Sequence, residues 1–376
     1  MNKKVLFFVN DLPAFFIQRL NLAQHVKESG YEVIIASPEN QKVDDLKELG
    51  FSHQTIPVNR KSLNIFSGIV VIYRLIRIIK KIKPDILHNV SSKQVIYGSI
   101  AARICGVKKI INLINGLGWI YVERRGIAVK ILRSLVSTLY KLALSNKNII
   151  VIFQNPDDKQ YFLDRNILDE SQIKVILGSG VNTDKYKPSV EEIPTNQSKI
   201  KIIFLSRMLW VKGVKYLIDA VRILKSRSLE FELNLVGQPD LGNPDSIPYE
   251  TLESWEKNGL INYKGFINDP IKIIQSADVV VLPTYLREGV PLSLIESASC
   301  GKPIVTTDVP GCREIVIDGL NGFLIPPKDT IALSESLEKL IINEPLRKKF
   351  GEESRKLALK SFSKEIVNKK TLELYE

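Results

Sequence analysis

Cysteine and histidine are scarce, three of each in 376 residues. Cys105, Cys300 and Cys312 are an odd number without metal-ligand spacing, and three histidines are too few to complete a zinc set. A disulfide scaffold and a zinc module are excluded as organising principles, and a reduced, cytosolic protein is the simplest reading. No run of about 18 uncharged apolar residues occurs. The nearest, residues 65–79, carries Arg74 and Arg77, so no membrane span is expected. The apolar run in residues 1–10 is too short for a signal peptide and reads as a first strand. Internal repeats, low-complexity tracts and a strand-end Asp-x-Asp metal motif are missing too, so no divalent cation and no cofactor is expected.

The composition present is that of a soluble globular protein, 44% apolar and 25% charged, and the length allows two domains with separate cores. Charge is unevenly spread. Residues 1–190 hold 28 Lys/Arg against 15 Asp/Glu, a net of +13, and the remainder 25 against 26, a net of −1. Such asymmetry points the first half at an anionic partner, membrane or nucleic acid. The cations are distributed over apolar helical patterns and no nucleic-acid-binding module is present, which favours a membrane surface. Two basic apolar segments, residues 62–82 and 119–144, carry this expectation. For the first of them, a crossover helix with its apolar face on a sheet is the stronger reading.

Strand and helix patterns alternate along the whole chain. Residues 3–9, 31–36, 85–88, the start of 111–119, 148–154 and 173–180 read as strands of a first domain, and 200–205, 231–237, 261–265, 278–283 and 303–307 as strands of a second. This order predicts doubly wound α/β domains, whose ligands gather beyond the carboxyl ends of the strands. Periodicity is lost over 188–198, which marks a linker. The domains are then 1–187 and 199–360, with 361–376 a terminal helix.

One turn organises the second domain. The apolar strand 278–283 leads into Glu288, Gly289, Val290, Pro291, Leu292, Ser293 and Leu294, with Pro291 placed where a helix could begin. Amides left free there, at the positive end of a helix dipole, suit a phosphate. Glu288 precedes the helix and Glu296 lies within it, so one carboxylate can meet a sugar and the other a ribose.

Here the sequence resembles the retaining glycosyltransferases of family 4, whose donor site carries a Glu, seven residues and a second Glu. The resemblance covers essentially the whole chain. It implies the GT-B fold, two facing Rossmann-like domains with parallel sheets and an interdomain cleft, with the terminal helix folding back over the first domain. It implies a catalytic set of Arg207, Lys212 and Glu288, in which the two cations grip the donor diphosphate. Gly289 to Leu294 and Glu296 would hold the donor, and Gly237 and Gly265 would lie near its base. Asn115 and Gly116 would face the donor sugar; many family members have His at 115, and an amide carries no proton at neutral pH. The loop read after the first strand, residues 10–19, carries an Asp-x-Pro, paired aromatics and an Arg that match a subset from bacterial polysaccharide assembly. That subset implies a lipid-linked acceptor, with Asp11, Arg19, His88 and Lys93 on the acceptor side. The expected reaction moves a sugar, an N-acetylhexosamine, from a UDP-sugar to a polyprenyl-diphosphate-linked saccharide, at the inner face of the cytoplasmic membrane. A sugar-nucleotide epimerase on the same architecture and a non-catalytic binder of anionic lipid or nucleic acid are the alternatives.

Overall fold

The computed structural model describes residues 2–58, 65–118, 126–189 and 199–376. Two compact units form, Met1–Ser179 with Lys364–Glu376 in one and Gly180–Ser363 in the other. Most of the expected linker, from 190 to 198, lies outside the described residues, as do 62–64 and 119–125 of the two basic segments.

The first unit is a seven-stranded parallel sheet of β1 (Lys4–Phe8), β2 (Glu32–Ser37), β3 (Ser52–Thr55), β4 (Ile86–Val90), β5 (Lys109–Ile114), β6 (Ile149–Phe153) and β7 (Ile173–Val175), ordered β3-β2-β1-β4-β5-β6-β7. Central strands such as β1 and β6 are continuous apolar runs because helices cover both faces of the sheet. Alternation then sends Val5 and Phe7 into one core and Leu6 and Phe8 into the other. The helix Ile65–Ile82 crosses from β3 to β4, burying Val71, Leu75 and Ile79 at a spacing of four and leaving Ile69, Val70 and Tyr73 exposed. Helix Lys364–Leu372 packs beside helix Leu20–Glu28, so Val367 and Tyr375 join the core that holds Leu22 and Val26.

The second unit repeats the plan with six parallel strands, β8 (Ile200–Leu205), β9 (Phe231–Val236), β10 (Asn262–Gly265), β11 (Val279–Leu282), β12 (Ile304–Thr307) and β13 (Gly322–Ile325), ordered β10-β9-β8-β11-β12-β13. In each sheet the connections reverse direction beside the first strand, between β1 and β4 and between β8 and β11. The loops leaving those strands diverge there, and the crevice they leave is where such sheets bind ligands.

Three elements differ from expectation. β3, Ser-His-Gln-Thr in sequence, is a polar edge strand, and β13 is short; neither has a long apolar run. Residues 12–18, expected as loop, form a helix, because Pro13 sits within its first turn, where a missing N–H costs nothing.

Candidate active site

The second-unit site starts where β8 ends. Gly237, at the end of β9, has φ +131°, and a Cβ there would lie 1.9 Å from the Ser206 carbonyl oxygen. Only glycine lets the loop after β8 pass this close. Arg207 leaves that loop to pair with Asp240, Nη1 to Oδ2 2.7 Å, with the guanidinium nearly half exposed. The loop closes in a single 3-10 turn, Trp210–Lys212, followed by Gly213 at φ +80°. A Cβ on Gly213 would stand 1.9 Å from the Pro283 carbonyl oxygen, so this glycine seats the β8 loop against the end of β11.

That close approach fixes the central contact. Lys212 Nζ lies 2.6 Å from Glu288 Oε1, and both side chains are largely withdrawn from solvent, 8% and 15% exposed. The Thr284 hydroxyl lies 3.1 Å from the same carboxylate oxygen and 3.2 Å from the Val211 carbonyl, and its one proton can serve either. Arg207 and Lys212, expected to grip one diphosphate, therefore hold different carboxylates in the folded protein.

Beyond Glu288 the turn runs into helix Leu292–Ser299. Pro291 is the N-cap rather than the first helical residue, with ψ 123°, because its carbonyl accepts from both Leu294 (3.1 Å) and Ile295 (3.2 Å). The Leu294 amide is thereby taken, which corrects its expected place among the phosphate donors. The amides of Gly289, Val290, Leu292 and Ser293 have no partner among the described residues. They are the free donors of the turn. The backbone of Glu288 and Gly289 is held from behind by residues 309–314: the Glu288 amide donates to the Pro310 carbonyl at 3.2 Å, and a Cβ on Gly311 would strike the Gly289 carbonyl.

Glu296, fifth in the helix, is 9% exposed and accepts a hydrogen bond from the Tyr186 hydroxyl. Burial pushes its carboxyl up to about 7, against the pull of Tyr186 and Lys185. A ribose reaching this carboxyl would share it with Tyr186. Gly265 ends β10 at φ +63° and its carbonyl accepts the Gly237 amide at 2.8 Å, so the two glycines expected near the base are joined to each other.

In the first unit Asp11 caps helix Leu12–Gln18, and its side chain accepts from the Ala14 amide. Arg19 is 4% exposed and donates from Nη2 to Asn115 Oδ1 at 3.0 Å; burial lowers its guanidinium to about 10. Gly116 follows at φ +88°. His88 is fully buried, stacks on Phe7 and hydrogen-bonds through Nδ1 with the Tyr375 hydroxyl at 2.6 Å. Burial and the Arg19 charge drive the imidazole down to about 3, so it is neutral. His88 is thus a mid-strand core residue held through Nδ1 alone, with no surface for an acceptor, and Arg19 holds Asn115 from inside the unit. Lys93, on helix Ser92–Cys105, is half-buried, which lowers its ammonium. The residue capping that helix, Ser91, takes φ +86°, a strained value for a side-chain-bearing residue and one found at functional loops.

Sequence reading missed Thr284, Tyr186, Asp240 and Tyr375. Thr284 had a signal, its place at the end of β11, whereas Tyr375 meets a partner 287 positions away and had none. Among the described residues, no three His, Cys, Asp or Glu stand together as metal ligands.

Comparison with known proteins follows the same division. A model described as "Glycosyl transferase 4-like" matches residues 4–155, and one described as "Glycosyl transferases group 1" matches 186–357. The chain is 28% identical over 368 residues to the N,N'-diacetylbacillosaminyl-diphospho-undecaprenol alpha-1,3-N-acetylgalactosaminyltransferase of Campylobacter jejuni, covering 95% of this chain and 94% of that protein. It is 25% identical to the UDP-Gal:alpha-D-GlcNAc-diphosphoundecaprenol alpha-1,3-galactosyltransferase of Escherichia coli, covering 86% and 84%. Among solved structures, that of Anabaena HepE in complex with UDP superposes with a TM-score of 0.79 at 18% identity, covering 100% of this chain and 99% of that one. This likeness identifies the fold as GT-B. The two matched regions together take in most of the chain, and the chain belongs to the glycosyltransferases of the 4-like, group 1 type.

Proposed function

We propose that this glycosyltransferase moves an N-acetylhexosamine, with retention and without a metal ion, from a UDP-sugar to a polyprenyl-diphosphate-linked saccharide. The observation that carries the reading is the Lys212–Glu288 contact beside four amides that have no partner among the described residues, at the reversal point of the second sheet. A donor diphosphate bound on the amides of Gly289, Val290, Leu292 and Ser293 would have the Lys212 ammonium beside it. As the sugar C1–oxygen bond breaks, negative charge grows on the leaving phosphate, and a preorganised donor of this kind contributes about 3 kcal/mol. The acceptor hydroxyl attacks C1 from the face the phosphate leaves, and its proton passes to the released diphosphate. Glu288, already held by Lys212 and Thr284, is oriented to accept from a sugar hydroxyl rather than to act as a free base. The lipid-diphosphate acceptor accords with the names of both bacterial relatives, the N-acetylhexosamine with the first and the UDP-linked donor with the second.

The first unit meets the inner leaflet in this reading. No described helix is long and apolar enough to cross a membrane, yet helix Ile127–Ala143 exposes Ile127, Ile131, Leu135 and Leu142. Incubation with UDP-N-acetylhexosamines and a polyprenyl-diphosphate saccharide, with and without a chelator, tests the reaction. The expected product is a lipid heavier by one residue, α-linked, formed equally in chelator. An epimerised UDP-sugar formed without lipid, or a chelator-sensitive reaction, would overturn the corresponding part.

A further inference from the structure

Helix Ile127–Ala143 has three faces. Tyr140 and Ala143 are buried against the core, with Tyr140 edge-on to Phe162. Ile127, Ile131, Leu135, Leu139 and Leu142 recur every three or four residues and are 78, 61, 48, 37 and 55% exposed. Lys130, Arg133, Ser134, Thr138 and Lys141 form a second row at the same period. At about 3.6 residues per turn, the two rows run side by side along the helix.

The polar row is one wall of an open groove of about 370 Å³ whose other wall is Tyr161, Arg165 and Ile167. Four cations and several hydroxyls line it, and no Asp or Glu is among the lining residues. Its far wall is organised: the Arg165 guanidinium lies over the Tyr161 ring, 3.7 Å from the centroid, and the Tyr161 hydroxyl is 3.4 Å from Ser137 Oγ. Cations with hydroxyls suit phosphate oxygens, which accept from both. A free phosphate has no use for the exposed apolar row alongside, whereas a phospholipid presents phosphate and acyl chain at this juxtaposition.

We propose that this groove is a headgroup site for anionic phospholipid, with the Ile127 to Leu142 row entering the adjoining acyl region. The proposal deepens the membrane-contact part of the function proposed above and rests on it. It assigns that contact to one place, distinct from the nucleotide-sugar site.

The test is co-sedimentation of the full chain with phosphatidylcholine vesicles, with and without phosphatidylglycerol. Lys130→Gln/Arg165→Gln breaks the groove, Lys108→Gln/Lys174→Gln removes equal charge from exposed positions outside it, and thermal unfolding checks that each variant folds. With each surface cation contributing about fivefold, the groove pair should weaken binding to anionic vesicles roughly 30-fold, and the outside pair by less than about twofold. Equal loss from both pairs would reduce the groove to diffuse electrostatics and overturn the site. Wild-type binding to anionic vesicles with no loss in the groove pair would do the same while leaving the membrane reading intact. If the wild type binds neither vesicle, the membrane reading fails and the site with it. Inorganic diphosphate or an oligonucleotide that binds through Lys130 and Arg165, with no competition from vesicles, would replace the lipid by another occupant.

Discussion

Two sheets of one strand order each carry a largely buried cation downstream of the first strand and treat it oppositely. In the second unit Lys212, from the loop after β8, meets Glu288 at 2.6 Å, with free amides alongside. In the first unit Arg19, after the loop that follows β1, is buried with no carboxylate partner among the described residues, and donates to neutral Asn115. Topology chooses where polar groups gather, and the neighbours decide what they do. The second-unit cation is paired yet close to donors for an anion, whereas the first-unit cation braces a loop.

Replacing both cations by the same apolar residue should break that symmetry most strongly. Lys212→Met takes the ammonium away from a largely buried carboxylate, a loss of about 3 kcal/mol in folding stability, and lowers kcat by about 100-fold or more. Arg19→Met removes an unpaired buried charge along with one hydrogen bond, and its stability should stay within about 1 kcal/mol of wild type. Denaturant unfolding and initial-rate kinetics on the two variants check this. Equal destabilisation would erase the distinction between the units.

The pH dependence should sharpen it further. The Glu296 carboxyl is raised from 4.5 to about 7, so the folded second unit stays protonated where the unfolded chain ionises, and stability is lost as pH rises across that window. His88 runs the other way. Its imidazole is lowered from 6.5 to about 3, so its contribution is whole above 6.5 and is lost as pH falls through the interval below. Glu296→Gln should remove a slope on the order of 3 kcal/mol between pH 4.5 and 7, measured by urea unfolding at several pH values. An unchanged slope in that variant would mean that Glu296 titrates normally.

A smaller loss than at Lys212 or Glu296 is expected at the hydroxyl that His88 meets. Tyr375→Phe keeps the ring in the core and deletes one buried hydrogen bond, at a cost of about 1 to 2 kcal/mol in stability. Sugar transfer should continue at saturating substrate. A kcat falling as far as in Lys212→Met would place Tyr375 in the reaction instead.

Much of the fold was legible because parallel strands buried on both faces write themselves as apolar runs, as β1, β6 and β11 do. β3 and β13 lack such runs, and residues 12–18 read as part of the first loop although Pro13 fits a first helical turn. In the site, Lys212, Glu288 and the Gly289 to Ser293 turn stood out by residue type and place. Their pairing did not, because 76 residues separate Lys212 from Glu288 and only the Gly213 to Pro283 approach closes the gap. Arg19 and His88 looked like ligands since nothing local shows burial; Asn115 and Tyr375, which engage them, come from far along the chain.

That distance matters during synthesis. Residues 1–179 leave the ribosome with Leu22 and Val26 uncovered and His88 without its phenol, and Val367 and Tyr375 arrive only after all of 180–363 has been translated. The second unit is thus one uninterrupted segment, complete in the chain before the first receives its closing piece. Severing the chain near 179 yields an amino-terminal fragment with a raw apolar flank, one that a separately supplied 364–376 peptide is shaped to cover.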